Sequence, residues 1–337
     1  MTKLKNIINK FKRARILVVG DLILDQYIWG NVERVSPEAP VPVVWAKRRT
    51  YLPGGAANVA GNIASLGGKA SLLGVVGDDQ QASRLLPELK IRKINTNGIF
   101  IEKGRQTIMK TRIIAGHQQV VRVDWEDTHN IKSATRDKLQ DFIQGNIKKF
   151  DAVIIEDYGK GLLDNFLLNL ITSEARKQGK IVTVDPKEDN FEHYRGATCI
   201  TPNRKEAQNA VRYLKMKDQK NKFKIYNDKL MTHNDIDSAG KMILRYLELE
   251  SLLITLGEEG MFLFEKGKPR VHIPTVAQEV FDVSGAGDTV IAVFTMALCA
   301  GASKLEAARI ANFAAGIVVG KLGTAVISLG ELLERIK

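Results

Sequence analysis

Chemistry in this chain concentrates in Phe281-Asp282-Val283-Ser284-Gly285-Ala286-Gly287-Asp288-Thr289, which runs directly into the apolar stretch 290–300. Gly285, Ala286 and Gly287, three small residues entering a helix, leave backbone N–H groups bare. The positive end of the helix dipole adds to them, so the turn suits a phosphate or a developing negative charge. A carboxylate beside an anion site is repelled unless it has a task, and for Asp288 that task would be deprotonating an attacking hydroxyl. The same aspartate could instead simply cap or charge the first helical turn. Local sequence leaves both readings open.

A second cluster, Pro53-Gly54-Gly55-Ala56-Ala57-Asn58-Val59-Ala60, sets a Gly-Gly turn before a helix of small residues, where backbone can approach a ligand closely. Asn58 would project from the first turns as a two-way hydrogen-bonding group, unless the segment is only a tightly packed alanine-rich helix. Gly20-Asp21 closes the first apolar strand and Asp25 follows, where a carboxylate could bind sugar hydroxyls or merely shape a turn. The chain has no Gly-x4-Gly-Lys-Ser/Thr and no Gly-x-Gly-x-x-Gly after a strand, which removes support for P-loop and dinucleotide enzymes. No His-x3-His or Cys-x2-Cys pair supplies metal-ligand spacing, and the five histidines are scattered.

These residues need a frame. Apolar β-rich runs at 15–20, 70–77, 151–155, 180–185, 197–201 and 252–256 alternate with helical periodicity at 55–66, 133–148, 164–177 and 235–247. That alternation predicts a doubly wound α/β domain, with a mainly parallel sheet, helices on both faces and a ligand crevice at the carboxyl ends of the strands. Two stretches break the rhythm. Residues 27–48 hold three prolines and no helical period and read as irregular, while 99–124 hold alternating strands at 107–114 and 120–124 that predict a small antiparallel sheet beside the main domain, a candidate lid or dimer surface. Leu4, Ile7, Ile8 and Phe11 make an amphipathic N-terminal helix that packs on the chain's own surface.

Length and composition bound the rest. With 337 residues, 44% hydrophobic and 26% charged, the chain can bury a large core and is neither disordered nor collagen-like. Cys199 and Cys299 form no disulfide framework and fit a reducing cytoplasm. The longest apolar stretch is too short to span a bilayer, and no signal peptide is visible. The net charge of +12 is spread out, apart from the run 212–229, which reads as a solvated surface insertion; it predicts attraction of small anions rather than nucleic acid.

Taken jointly, Gly20-Asp21, Gly54-Gly55-Ala56-Ala57-Asn58, Thr201-Pro202-Asn203-Arg204-Lys205-Glu206, Thr255-Leu256-Gly257 and the 282–288 turn stand in the order and spacing of the ribokinase-like (PfkB) carbohydrate kinases. The chain resembles that family from roughly residue 14 to residue 333. Arg34-Val35-Ser36-Pro37-Glu38-Ala39-Pro40-Val41-Pro42-Val43, Asp185-Pro186-Lys187 and the stretches 191–198 and 319–324 are similar to the branch that phosphorylates D-glycero-β-D-manno-heptose 7-phosphate.

The resemblance implies a single ribokinase-like domain over 1–337 and ATP-dependent phosphorylation of the anomeric hydroxyl, giving the 1,7-bisphosphate for ADP-heptose and the lipopolysaccharide core. It implies Asp288 as general base, with the N–H groups of Gly285, Ala286 and Gly287 on the transferring phosphoryl. Asn203 and Glu206 would organise Mg²⁺, Glu206 through water. Thr255 and Gly257 would lie near the phosphates or ribose, and Asn312 by the adenine. Asp21, Gly54, Gly55 and Asn58 would take the sugar, and a potassium ion near Asp282 and the 318–323 loop is left open. Lys110 and Arg112, two apart in a strand, would meet the sugar's phosphate, joined by Lys187, unless Met109, Thr111 and Ile113 face inward instead. A homodimer through the lid is implied. Since the chain shows no His-x-Gly-His motif, a nucleotidyltransferase acting on the product is expected on a separate polypeptide. Two rivals stay open: a kinase of the same family for another sugar or sugar phosphate, and a non-enzymatic regulator, which would leave Asp288 without a role.

Overall fold

In the computed structural model, which describes residues 2–116, 118–217, 229–277 and 279–336, the chain opens with helix α1 (Thr2–Ile8) and strand β1 (Arg15–Gly20). Two long strands, β2 (Leu22–Val35) and β3 (Pro42–Gly55), precede α2 (Ala56–Ser65) and β4 (Lys69–Gly77). Then come α3 (Gln80–Ile91), β5 (Asn95–Glu102), β6 (Ile108–Ala115), β7 (Gln118–Trp125) and α4 (Ser133–Asn146). The next stretch holds β8 (Ala152–Glu156), α5 (Asn165–Lys177), β9 (Ile181–Asp185), β10 (Cys199–Ile200), α6 (Arg204–Lys217), α7 (His233–Tyr246) and β11 (Ser251–Thr255). The chain closes with β12 (Met261–Glu265), β13 (Val271–Ile273), α8 (Ala286–Cys299), α9 (Lys304–Val318) and α10 (Leu329–Arg335).

Nine strands form the main sheet in the order β13-β12-β11-β10-β9-β8-β1-β4-β5. It is parallel from β11 across to β5 and antiparallel only at β12 and β13. Successive side chains leave opposite faces of a strand, so β1 feeds two cores at once. Ile16 and Val18 join α2, α8 and α9 on one side, while Leu17 and Val19 join α4, α5, α6 and α7 on the other. Ile7, Ile8 and Phe11 are buried in the first core, as the N-terminal apolar spacing predicted. None of the described helices is long and apolar enough to cross a membrane.

The second sheet, β3-β2-β6-β7, departs from expectation in three ways. Residues 27–48 are mostly regular: apart from the connection 36–41 they lie within two paired 14-residue strands. Pro37 and Pro40 fall in the connection between them and Pro42 is the first residue of β3, a place where a missing N–H is tolerated. The segment 99–124 does not belong to the lid throughout, since residues 99–102 finish β5 of the main sheet, and the lid resumes at Ile108. The lid is also mixed rather than antiparallel, because β2 runs parallel to β6. Of the basic run 212–229, residues 218–228 lie outside the described residues.

Helix α8 carries the motif turn at its N-terminus and is buried along most of its length. Phe294→Ala, at a fully buried site in its middle, should cost about 3–5 kcal/mol. A denaturation midpoint lowered at unchanged slope is the expected reading; an unchanged midpoint would refute the packing described.

Candidate active site

The strand order reverses at β1. From there the chain moves to β4 and β5 on one side and later to β8 and β9 on the other, and such a switch point opens a crevice at the carboxyl ends. Asp21 directly follows β1, Glu156 ends β8 with Asp157 and Tyr158 after it, and Asp185 ends β9. The N-terminus of α8 meets them there. Gly285 caps that helix at φ +77°, and a Cβ on it would stand 2.7 Å from Asn58 Nδ2. Only glycine meets both conditions.

Asp288 is buried in the first turn of α8. Asn58 Nδ2 donates to its Oδ2 at 2.7 Å, and the Tyr158 hydroxyl donates to Oδ1 at 3.2 Å. Burial pushes the carboxyl up to about 6 while these two donors hold it down, so it is mostly ionised at neutral pH. Asn58, expected on the sugar, therefore spends its amide on the Asp288 carboxylate. Tyr158 carried no sequence signal.

Cavities lie on either side of this turn. One, of about 480 Å³, is lined by Thr255, Gly257, Asn312, Ala286 and Gly287 among others. Asn312 Nδ2 donates to the Pro274 carbonyl at 2.7 Å, which fixes the amide in that wall. The other, of about 150 Å³, is lined by Asp25, Gly55, Lys110, Arg112, Arg122, Gly285, Asp288 and Thr324. The helix start is thus the partition: Ala286 and Gly287 face the larger cavity, Gly285 and Asp288 the smaller. The Ala286 N–H turns back onto the Val283 carbonyl at 3.2 Å, so the anion-binding capacity falls to its neighbours.

Lys110 and Arg112 face the smaller cavity, which resolves the inward-or-outward question; Thr111 instead donates to Gln26 at 2.8 Å. Arg112 pairs with the buried Asp25 at 2.5 Å and stacks over Tyr27, while Lys110 reaches Asp124 at 3.4 Å. Arg122 on β7 joins them, held by Asp124 at 2.9 Å. Sequence reasoning expected β6 and β7 to pair but missed Arg122, because the register that sets it opposite Arg112, with a shift between Ile113 and Ile114, is not legible in the spacing. Lys187 is not among the residues lining this cavity; it lies beside Glu188 at 3.5 Å.

Beneath Asp288, oxygens of Glu156, Asp185 and Asp288 come within 4.8 Å of one another. Glu156 is fully buried and neither of its oxygens has a hydrogen-bond partner. Burial and the neighbouring carboxylates push both Glu156 and Asp185 well up. An orphaned buried carboxylate among hard oxygen donors fits a divalent cation such as Mg²⁺. Glu206 adds negative charge to this cluster, and it exchanges bonds with Asn203: Oε2 accepts from the Asn203 N–H at 2.8 Å and its own N–H donates to Asn203 Oδ1 at 3.0 Å.

Residues 13–329 match the family described as pfkB family carbohydrate kinase. The chain belongs to that family. This carbohydrate kinase is 42% identical over 334 residues to the "Bifunctional protein HldE" of Geotalea uraniireducens, covering 99% of its own length and 65% of that protein's. It is 44% identical over 318 residues to the protein of the same name from Helicobacter pylori, covering 94% and again 65%. The chain thus spans about two thirds of the length of these relatives. Because they are named bifunctional, the expectation of a nucleotidyltransferase on a separate polypeptide finds no support. The kinase's fold is similar to a putative ribokinase of Agrobacterium tumefaciens (TM-score 0.76, 23% identity, 95% and 96% of the two chains). It is also similar to phosphofructokinase-2 of Escherichia coli (TM-score 0.76, 18% identity, 95% and 97%).

The remaining expected residues shape the kinase's crevice. Gly54 makes room for Asp25, whose Oδ2 would stand 2.3 Å from an added Cβ. Asp282 accepts from the Ser284 N–H at 2.9 Å and the Gly323 N–H at 3.0 Å, tying the 318–323 loop to the motif turn. Asp21 is buried and its Oδ2 accepts from the N–H groups of Tyr158 and Lys160 at 3.1 and 3.2 Å. Burial, with Asp157 nearby, pushes Asp21 up to about 7.

The folded chain therefore holds the Asp21 proton more tightly than the unfolded chain, where the value is about 3.9. Stability contributed by the protonated form is full below about pH 4 and is lost as pH rises through about 7. Asp21→Asn keeps an oxygen acceptor for both N–H groups and removes the titration. The melting temperature of the variant relative to wild type should climb between pH 4 and 7 and then level off. A difference independent of pH would refute the buried charge.

Proposed function

We propose that this carbohydrate kinase transfers the γ-phosphoryl group of ATP to the anomeric hydroxyl of D-glycero-β-D-manno-heptose 7-phosphate, giving the 1,7-bisphosphate for ADP-heptose and lipopolysaccharide-core synthesis. The observation that carries this reading is the α8 N-terminus standing as a partition, with a mostly apolar cavity on one side and a basic one holding Asp288 on the other. ATP would occupy the larger cavity, its base by Asn312 and its phosphates by Thr255, Gly257 and the turn. The sugar would enter the smaller one, its anomeric hydroxyl giving its proton to Asp288 as the phosphorus–oxygen bond forms. Phosphoryl transfer needs little covalent help, so positioning and charge stabilisation by the helix start supply most of the acceleration. Glu206, Glu156 and Asp185 would hold Mg²⁺, which neutralises charge on the nucleotide phosphates.

Lys110, Arg112 and Arg122 would clamp the sugar's distal phosphate. Exposed Trp45, Val121, Val123 and Trp125 on the lid support a homodimer through it. A potassium ion beside the 318–323 loop is proposed on resemblance alone; its test is the rate with and without K⁺.

Asp288→Asn should keep nucleotide affinity and lose about 10²–10⁴ in kcat. Retention of more than about a tenth of wild-type kcat would remove the general-base role.

Arg112→Ala would also strand buried Asp25, so Lys110→Met and Arg122→Ala test the clamp more cleanly. Hydrogen bonds to charged groups are worth about 1.5–3 kcal/mol, or roughly 10- to 150-fold. Each variant should lower kcat/KM for heptose 7-phosphate by at least about tenfold, leave the KM for ATP unchanged, and matter far less for a sugar lacking the phosphate. Equal losses with both sugars would refute the clamp. A wild type that preferred fructose 6-phosphate or ribose in the same panel would refute the heptose assignment.

A further inference from the structure

Four buried side-chain oxygens lack hydrogen-bond partners among the described residues: both of Glu156, Oε2 of Glu126, and Oγ1 of Thr324. Glu156 belongs to the carboxylate cluster, and Glu126 already holds Lys160 at 2.7 Å through its other oxygen. Thr324 has no such account. Its residue is 7% exposed, and it lines the smaller cavity with Asp25, Arg112, Gly285 and Asp288. A buried hydroxyl with no partner is uncommon in native proteins and calls for an explanation.

The backbone holds that hydroxyl in place. The Thr324 N–H donates to the Tyr27 hydroxyl at 3.2 Å, and the preceding Gly323, at φ +74°, donates its N–H to Asp282 at 3.0 Å. The threonine methyl packs toward the motif turn, 3.5 Å from where a Gly285 Cβ would stand. A β-branched side chain so placed has little freedom at χ1. The hydroxyl lies near Asp25 and the Tyr27 phenol and helps hold both groups down, but it forms a hydrogen bond with neither.

We propose that Thr324 is a specificity-determining residue of the acceptor site, its hydroxyl bonding to a ring hydroxyl of the sugar that in turn donates to the Asp25 carboxylate. The inference rests on the reading of the smaller cavity as a sugar site. A neutral, two-way hydroxyl is the complement that a Thr–Asp pair accepts. A phosphate there would face Asp25 and Asp288, whereas Lys110 and Arg122 offer it cations at the lid.

Thr324→Val removes the oxygen at nearly constant shape, and Thr324→Ser keeps it. In the unliganded protein the valine variant should melt at the wild-type temperature or up to about 2–4 °C above it, because no bond is lost on substitution. It should nevertheless lose about three- to tenfold in kcat/KM for the sugar phosphate that wild type uses best, with KM for ATP within about twofold. Thr324→Ser should stay near wild type. Among monodeoxy analogues of that sugar phosphate, wild type should discriminate against one ring position and Thr324→Val should lose that discrimination. Undiminished turnover by Thr324→Val, or a lowered melting temperature with equal losses for both substrates, would overturn the assignment. Failure of wild type to use heptose 7-phosphate overturns the proposed substrate instead, while the comparison of variants on the preferred sugar still judges Thr324.

Discussion

Carboxylates from three different elements, the end of β8, the end of β9 and the first turn of α8, bring their oxygens within 4.8 Å of one another, and much of the molecule is organised around making that concentration of charge tolerable. Like charges so close, largely out of water, cannot all ionise without compensation. Asp288 is compensated by an amide, a phenol and the helix start. Glu156 and Asp185 are instead pushed well up by burial and by the carboxylates around them. The kinase therefore keeps one carboxylate ready to accept a proton while its neighbours stay poised for positive charge.

Each compensating group arrives from a distant part of the chain. Asn58 stands 230 residues from Asp288 and Tyr158 stands 130 away, so the donors that hold this carboxylate exist only once α2 packs on α8 and β8 lies in the sheet. Gly285 is the contact point: its missing side chain admits Asn58 and its positive φ turns the chain into the helix. A substitution there would disturb geometry and electrostatics together, because an added Cβ would both oppose the left-handed turn and press on Asn58.

The lid balances the opposite charge. Arg112 and Arg122 face each other across β6 and β7, an arrangement unfavourable for like charges. Asp25 and Asp124 offset it, each carboxylate reaching a guanidinium. The resulting cavity is cationic at the lid and anionic beneath, the polarity on which the proposed sugar-phosphate reading rests.

The sequence by itself determined the elements with strong periodicity and the turn with an unusual composition. The parallel sheet, the helices over both faces and the 282–288 motif were legible because each rests on local spacing: period two for strands, 3.6 for helices, and small residues at a helix start. The family was legible as a resemblance, carried by separate motifs standing in order along the chain. Lid architecture was not, because 27–48 reads as proline-broken while β2 and β3 are held by their pairing to each other and to β6. Nor were Tyr158, Arg122, Glu156 and Thr324, ordinary residues whose roles come from what stands opposite them. The choice of inward face on β6 was decided by tertiary packing too, since a strand's alternation offers two faces and only the partner surfaces select one. Local order follows from the covalent chain; which charges meet depends on strand pairing and packing that bring together residues such as Asp25 and Arg112, 87 apart, and those contacts exist only in the folded state.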